Sequence, residues 1–517
     1  MKAKIISLIL LASLLLTALG ILVYADGSSS EPLSAEIDSV YGGVNGIVTL
    51  TFDDGDYPTA LAVKGLCEKY DLYATLMLIP DRIPTEENSS GKATVSQWRE
   101  LFADGRLEPQ NHSMSHDIAL GTNSEGKSPA ESVIRYEILD SGDLLDEFFP
   151  TNDIICFAPR GGAGDKSLTE AGRALAMTRY YMVRGGNVSG ATQSVSPTFD
   201  FGQPGSWSYI IAPSVDNKSF STLKTHIDNA AEQGTWFCAL AHLIADEADT
   251  YASTYESMDN WFAYIAEVRD RGDIWVTTVS SAVKYMRERQ NSTVSASYDG
   301  DSVTVSVETA DVTADGLALS PEIFDQPLSV KIELPAGTPN NYRYTLNGQC
   351  YSVKSFKEGL KKYVRIDVLP DSEVTLTPAD ADEPHVLKSV SATAPTCLGG
   401  GTVSHLACVD CGATFDKKGN PLESITTDKI GAHTLESVPR VEATILEEGV
   451  IAHDHCTVCD KNFNSDGEEI EDVTIPKIPY VYTDEDDDAP IYIAVIGVIA
   501  AVATIVTVVI IRKRRGY

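Results

Sequence analysis

The apolar and polar positions change rhythm along the chain, and each change predicts an element. Behind Lys2 and Lys4 lies an apolar run, Ile5 to Leu22, followed by Val23-Tyr24-Ala25 in small-x-small form. This order predicts a cleavable secretory signal over residues 1–25. The stretch up to residue 40, which opens Asp26-Gly27-Ser28-Ser29-Ser30-Glu31-Pro32, reads as a short flexible lead-in. From 41 to 291 strand and helix patterns alternate. Gly46 to Phe52 (GIVTLTF) is a near-continuous apolar and β-branched run, as in a strand covered on both faces. A helix is expected over Pro58 to Tyr70 and a strand over Tyr73 to Ile79. Thr94-x-x-Gln97 has capping-box form ahead of a helix reaching Ala103. Ser128-Pro129-Ala130-Glu131 has it again, with Pro129 at the first helical position of a helix running toward Phe149. Further strands are expected at Leu107 to Gln110, Ile154 to Ala158, Tyr180 to Val183, Tyr209 to Ala212, Thr235 to Ala241 and Ile274 to Thr278. Such alternation predicts an α/β fold, either a barrel or a doubly wound sheet.

Beyond residue 292 the period shortens. Alternating runs at Thr293 to Tyr298, Ser302 to Glu308, Leu328 to Leu334, Tyr342 to Leu346 and Val364 to Leu369, with a hairpin signal at Asn347-Gly348, predict a small β-sandwich over 293–380. A repeat follows. His385, Cys397, His405, Cys408, Cys411, Phe415 and Gly419 recur 48 positions later as His433, Ile445, His453, Cys456, Cys459, Phe463 and Gly467. Residues 385–431 and 433–479 are therefore two copies of one module, differing in this set only where Ile445 replaces Cys397. An acidic linker (480–490) leads into Ile491 to Ile511, 21 uncharged residues, enough to span a bilayer as one helix. Asp484 to Asp488 precede that span and Arg512-Lys513-Arg514-Arg515 follow it in the tail 512–517. Basic residues stay on the cytoplasmic side, so the expected topology is single-pass, with the body outside the cell membrane. The 517 residues carry 74 acidic and 40 basic side chains, a formal net charge of −34. That excess argues against nucleic acid as a partner.

The chemistry concentrates at expected strand ends. Thr51-Phe52-Asp53-Asp54-Gly55 closes the first strand, His112-Ser113-Met114-Ser115-His116 follows the strand at Leu107, and Leu240-Ala241-His242 closes a later one. In α/β barrels the functional groups gather where strands end. The i, i+4 spacing of His112 and His116 would put both rings on one side of a helical turn. Two imidazoles and a carboxylate make an open site for a divalent metal, which acidifies water and polarises a carbonyl. Neighbouring aspartates face opposite sides of a continuing strand, so both serve one site only if the strand stops, a turn that Gly55 permits. One aspartate can then bind metal while the other takes a proton from water.

In these motifs the chain resembles the polysaccharide deacetylases of carbohydrate esterase family 4, the NodB-homology domain. The resemblance covers residues 41–291 and rests on TFDDG (51–55), on His112-Ser113-x-x-His116 and on Leu240-Ala241-His242. It implies a distorted (β/α)7 barrel and a metal-dependent hydrolase that removes N- or O-acetyl groups from a glycan. It also implies that Asp53 is the catalytic base, that Asp54, His112 and His116 hold the metal, zinc being the expected ion, and that His242 is the catalytic acid. Phe157-Ala158-Pro159-Arg160-Gly161-Gly162 lacks the arginine that the family sets beside its base. Arg160 is the expected substitute. Gln110 stands where a glycine is usual, and the family's Asp-Trp is absent near Val183-Arg184-Gly185. The reading is thus a cell-surface glycan deacetylase, bacterial and Gram-positive. Its alternative is a glycan-binding adhesin or wall-anchoring protein with a weakly active barrel.

Of nine cysteines, Cys67, Cys156, Cys238 and Cys350 sit in apolar context and read as buried thiols. Secretion permits disulfides, so Cys408–Cys411 and Cys456–Cys459 could be bridges or metal ligands. His385, Cys397, Cys408 and Cys411 would make a structural zinc set of one histidine and three cysteines. In the second copy, His453 or His455 would have to replace the lost cysteine. These units resemble the Cys-x-x-Cys repeats appended to surface proteins of Gram-positive gut bacteria.

Overall fold

The computed structural model describes residues 30–86, 91–161, 167–186, 192–200, 202–380 and 384–479. The signal (1–25), the acidic linker, the apolar run 491–511 and the basic tail lie outside the described residues. Among the described residues no helix is long and apolar enough to cross a membrane. The chain divides into two units, residues 1–388 with 407–413, and residues 389–406 with 414–517.

The lead-in, expected to be flexible, contains two strands, β1 (Glu31–Leu33) and β2 (Ala35–Ile37). Each becomes the edge of an antiparallel sheet built by residues after 291. Three-residue strands are too short to show alternation in sequence, and their order comes from the partner's ladder. Pro32 is tolerated because β1 is an edge strand.

The first large body is a curled sheet. Its strands are β3 (Gly46–Phe52), β4 (Ala74–Leu78), β5 (Leu107–Asn111), β6 (Cys156–Phe157), β7 (Met182–Val183), β8 (Gln193–Ser194) and β9 (Thr235–Ala241). A small parallel pair, β10 (Leu243–Ala245) and β11 (Ala252–Thr254), precedes β12 (Ile274–Thr277). The sheet order is β7-β6-β5-β4-β3-β9-β8, and β12 pairs with β3 beside β4. Every pairing except that of β8 is parallel. All seven residues of β3 are buried, as its unbroken apolar run predicts. Its two threonines are satisfied inside: Thr51 Oγ1 donates to the Ala239 carbonyl, and Thr49 Oγ1 accepts the Trp236 indole N–H. No strand joins β7 to β9 among the described residues. The segment expected as a strand at Tyr209 to Ala212 forms no ladder, and single bridges, Arg184 with Ile210 and, just past that segment, Ser214 with Leu240, cross the gap. There the sheet departs from a regular barrel.

Helices at Tyr57–Tyr70, Val95–Phe102, Phe220–Gln233, Tyr255–Asp270 and Val279–Asn291 follow their strands. The Thr94/Gln97 capping box forms as expected. The second does not. Ala130, with extended backbone and no capping bond, precedes the helix, which starts at Glu131. Pro129 therefore lies ahead of the helix and not at its first position. That helix is also interrupted, running helical to Arg135, as a π-helix over Tyr136–Asp140 and helical again over Ser141–Phe148. The extra residue in the π turn is a device found often at functional sites, and Glu137 within it is fully buried.

After residue 291 come β13 (Ser292–Tyr298), β14 (Val303–Thr309), β15 (Leu328–Leu334), β16 (Asn341–Leu346), β17 (Gln349–Lys354), β18 (Phe356–Glu358), β19 (Lys361–Val368) and β20 (Ser372–Pro378). They form sheets ordered β1-β13-β14-β20-β16-β17 and β18-β19-β15-β2. Alternation decides what they bury: Val303, Val305 and Val307 of β14, and Leu328, Val330, Ile332 and Leu334 of β15, enter the apolar core. Asn347 and Gly348, both at positive φ, turn β16 into β17. In the second unit the later repeat is built on short antiparallel strands at Leu435–Val438, His453–Cys456, Asn462–Phe463 and Glu469–Ile470.

Candidate active site

Parallel pairing brings the strand ends to one level. Asp53, His112, Ala158 and Arg184 each stand one residue past their strand. Each still donates its N–H to the neighbouring chain, at the carbonyls of Ala241, Leu78, Asn111 and Phe157, at 2.8 Å in every case. Four ladders thus set four positions around one mouth.

The strand does stop after Asp53. Asp54 and Gly55 have φ of 71° and 64°, which turns the Asp54 carboxylate to the same side as that of Asp53. A Cβ on Gly55 would meet Leu78 Cδ2 at 3.2 Å on top of its unfavourable φ. The residues 112–116 are not helical, contrary to the spacing argument. Ser113 and His116 have φ of 66° and 59°, and the chain makes an irregular bend. The rings converge all the same, with centroids 4.6 Å apart. Glu137 holds this bend. It accepts from the Ser115 N–H at 3.0 Å and the Ser115 hydroxyl at 2.5 Å, while its carbonyl accepts from the Met114 N–H. Left-handed backbone at non-glycine residues is strained, and here it is fixed by the surrounding bonds.

Asp54 Oδ1 lies 3.8 Å from His112 Nε2 and 3.6 Å from His116 Nε2. That oxygen is buried and has no hydrogen-bond partner among the described residues. His112 Nδ1 is 2.7 Å from the Ala158 carbonyl, which can only accept, so the proton is on Nδ1 and Nε2 offers a lone pair. Burial lowers the pKa of His112. Burial, then the adjacent His112, pull His116 down to about 4. Both rings are therefore neutral at pH 7, the form that ligates. Two imidazole nitrogens and one orphaned carboxylate oxygen, all within 4.8 Å of one another, fit a divalent cation.

Asp53 lies beside this set, Oδ2 at 3.5 Å from His112 Nε2, but its oxygens are already used. Arg184 Nη1 and Nη2 donate to its two oxygens at 2.5 Å each, and Nη1 also reaches Thr51 Oγ1 at 2.8 Å. Both side chains are almost wholly buried. Burial would raise the Asp53 pKa, but the charges of Arg184 and His112 and the bidentate bonds outweigh it and hold Asp53 well below the usual carboxylate range. The guanidinium expected from Arg160 thus comes from Arg184. Arg160 is exposed and donates to the Asp117 carbonyl at 2.8 Å. The reason is register. Arg184 directly follows β7, inside the mouth, while Arg160 lies farther past β6, on the loop.

His242 completes the rim. Its Nδ1 is 2.6 Å from Asp216 Oδ2, and its N–H donates to Asp216 Oδ1 at 2.9 Å. Burial lowers the His242 pKa, but the Asp216 bond and the charges of Asp53, Asp216 and Asp54 outweigh it, and the net shift is upward. Asp216 and Arg184 were not anticipated. A charged residue closing the apolar run Tyr180 to Val183 was the available signal for Arg184. Asp216 had none.

This arrangement defines a hydrolase-type site, with a metal-competent triad, an ionised carboxylate and an elevated histidine. Residues 43–180 match the family model described as polysaccharide deacetylase. The chain therefore carries a polysaccharide deacetylase domain, a hydrolase acting on non-peptide carbon–nitrogen bonds. Among solved structures it is similar to the Xyl-CE4 domain of a multidomain xylanase from the hindgut metagenome of Trinervitermes trinervoides (18% identity, 46% of this chain and 89% of that one, TM-score 0.28). It is also similar to the peptidoglycan deacetylase PdaC from Bacillus subtilis (17%, 47% and 94%, TM-score 0.27). A third is a family 4 acetyl xylan esterase from Clostridium thermocellum in complex with cobalt (20%, 45% and 87%, TM-score 0.28). No curated relative matches the chain. Arg184, Asp216 and His242 lie beyond the matched span.

Proposed function

We propose that this protein is a metal-dependent deacetylase of the cell surface that hydrolyses acetyl groups on a glycan. The observation that carries the reading is the orphaned Asp54 Oδ1 facing two neutral imidazole nitrogens, next to an ion-paired Asp53 and an Asp216-bound His242. Asp54, His112 and His116 hold the cation, which supplies Lewis acidity toward water and the acetyl carbonyl. Asp53, ionised at all working pH values, takes the proton from water as it attacks the acetyl carbon. His242, whose pKa Asp216 helps raise, delivers a ring proton to the leaving amine or alkoxide. Asp216 fixes the His242 ring and favours its protonated form. The products are acetate and a deacetylated sugar. The surface location is supported by the signal-like start and by the apolar run 491–511 with its basic tail.

The test is acetate release by the full chain from chitooligosaccharides, peptidoglycan and acetylated xylan, with EDTA and with zinc added back. Release that EDTA stops and zinc restores supports the reading. Binding without release on all three would leave the adhesin alternative.

Two variants sort the roles. Asp216→Asn keeps the shape and removes the charge that raises His242, so the alkaline limb of kcat/KM should move to lower pH. The loss of rate should stay within the roughly 10²–10⁴-fold a positioned acid supplies. An unmoved alkaline limb would assign the acid to another group. Arg160→Met removes a side chain bonded to a loop carbonyl, so the acidic limb should stay in place, and a displaced limb would restore it as the partner of Asp53.

A further inference from the structure

The cysteines of the repeats are not grouped as the sequence predicted. Cys397 is absent from the set around Cys408. That set is Cys350, His385, Cys408 and Cys411, and a second set is Cys397, His433, Cys456 and Cys459. Cys350, expected to be a buried thiol, is half-buried on β17 just past the hairpin. Neither His453 nor His455 enters the second set: His453 Nδ1 is bound to the Ile451 carbonyl and His455 Nδ1 to Asn462 Oδ1. Each set lies wholly within one unit of the chain.

We propose that the chain carries two structural zinc sites, Cys350–His385–Cys408–Cys411 and Cys397–His433–Cys456–Cys459, each completed by a cysteine from the preceding module. Donors at about 2.3 Å (sulfur) and 2.0–2.1 Å (nitrogen) around a tetrahedral zinc stand about 3.8 Å apart sulfur to sulfur and about 3.5 Å sulfur to nitrogen. Cys350 Sγ is 3.7 Å from Cys408 Sγ, and Cys411 Sγ is 3.4 Å from His385 Nδ1. In the second set the same pairs are 3.8 and 3.3 Å apart. All donors in a set lie within 4.8 Å of one another, and every one of these cysteines is free. Disulfide pairing would leave an odd thiol in each set of three.

The spacing explains the one lost cysteine. Cys350, Cys397 and Ile445 fall at intervals of 47 and 48, close to the repeat itself. Each of the first two completes the Cys-x-x-Cys set 58 or 59 residues onward. Position 445 would serve a third set, and the sequence has no cysteine after Cys459 for it to complete. The β-sandwich hairpin thus takes the place of an upstream repeat, and a bound metal would tie β17 to His385 and the Cys408–Cys411 turn of the same unit. Zinc sites of this kind supply folding free energy to modules with too little core. Here the strands are short, and Leu398, Val409, Ile445 and Leu446 are exposed.

The test is independent of the catalytic reading. The full chain carrying His112→Ala, which empties the catalytic triad, should hold two zinc ions per chain after passage over a chelating resin. Adding Cys350→Ser or Cys397→Ser should each remove one, and Cys350→His should retain it. Cobalt loading should show thiolate-to-metal charge transfer, which a histidine–carboxylate site cannot give. On the unaltered chain, Cys350, Cys397, Cys411 and Cys459 should resist alkylation until a strong chelator is added, a readout that does not depend on a variant folding. Fewer than two zinc ions in the His112→Ala chain, prompt alkylation of these thiols, or a disulfide recovered from the non-reduced chain would overturn the proposal.

Discussion

His112→Ala should lose both the catalytic cation and acetate release, while Asp53→Asn keeps the cation and loses turnover. Alanine at 112 leaves Asp54 and His116 as two ligands. Losing even an outer partner of a ligand typically costs about 10–100-fold in metal affinity, so losing the ligand itself should cost more. The Ala158 carbonyl also loses its donor, which should lower stability by about 1–3 kcal/mol. Asparagine at 53 leaves Asp54, His112 and His116 in place but cannot accept water's proton, so the rate should fall by at least about 10²-fold. Its amide also cannot match both Arg184 nitrogens, and a buried guanidinium without its carboxylate costs about 3–5 kcal/mol. Metal content, melting temperature and acetate release must therefore be read on both variants. Equal metal loss in the two would mean that Asp53, and not Asp54 alone, holds the cation.

What the sequence disclosed was whatever depends on local pattern. The unbroken run at Gly46 to Phe52, the Thr94 capping box and the Asn347-Gly348 hairpin are local signals. Asp53, Asp54, His112, His116 and His242 were readable because they occupy short motifs at strand ends. What it concealed depends on register or on distant pairing. Arg184 reaches Asp53 only because β7, β6, β5, β4 and β3 are parallel and level, and a charge closing the run Tyr180 to Val183 marks the residue without naming its partner. Asp216 lies in a turn with no periodicity, and its partner is 26 residues away. The strands β1 and β2 exist because β13 and β15 offer open edges. The π turn that delivers Glu137 sits in a run with ordinary helical periodicity. Cys350 was findable. Extending the repeat period one step upstream of Cys397 lands within one residue of it.

Arg184 is where the site's electrostatics are most exposed to test. Arg184→Met should move the acidic limb of kcat/KM to higher pH, by about 1–3 units, the span that one close opposite charge controls. Asp53 must be ionised to act as a base, so activity requires a pH above its pKa. With Arg184 present that pKa lies below the usual carboxylate range, and the limb falls outside the working range of the enzyme. With methionine, burial, already the largest single influence on Asp53, acts unopposed by the guanidinium and raises the pKa. Rate falls on the acid side of the profile and recovers as pH rises. Stability should follow the same sign. In the wild type Asp53 has a depressed folded-state pKa, so its contribution is present above the unfolded carboxylate value of about 4 and is lost as pH falls through the folded value. In the variant the folded-state pKa returns toward the unfolded value, so Asp53 adds little to stability at any pH. The melting-temperature gap between the two should therefore widen from acid toward neutral pH, toward the roughly 3–5 kcal/mol that breaking a buried pair costs. Arg184→Lys, which restores the charge without the two-pronged bond, should fall between them. A wild-type acidic limb in Arg184→Met would mean that the ionisation of Asp53 is set by His112 and the bound cation, and that Arg184 only fills the mouth.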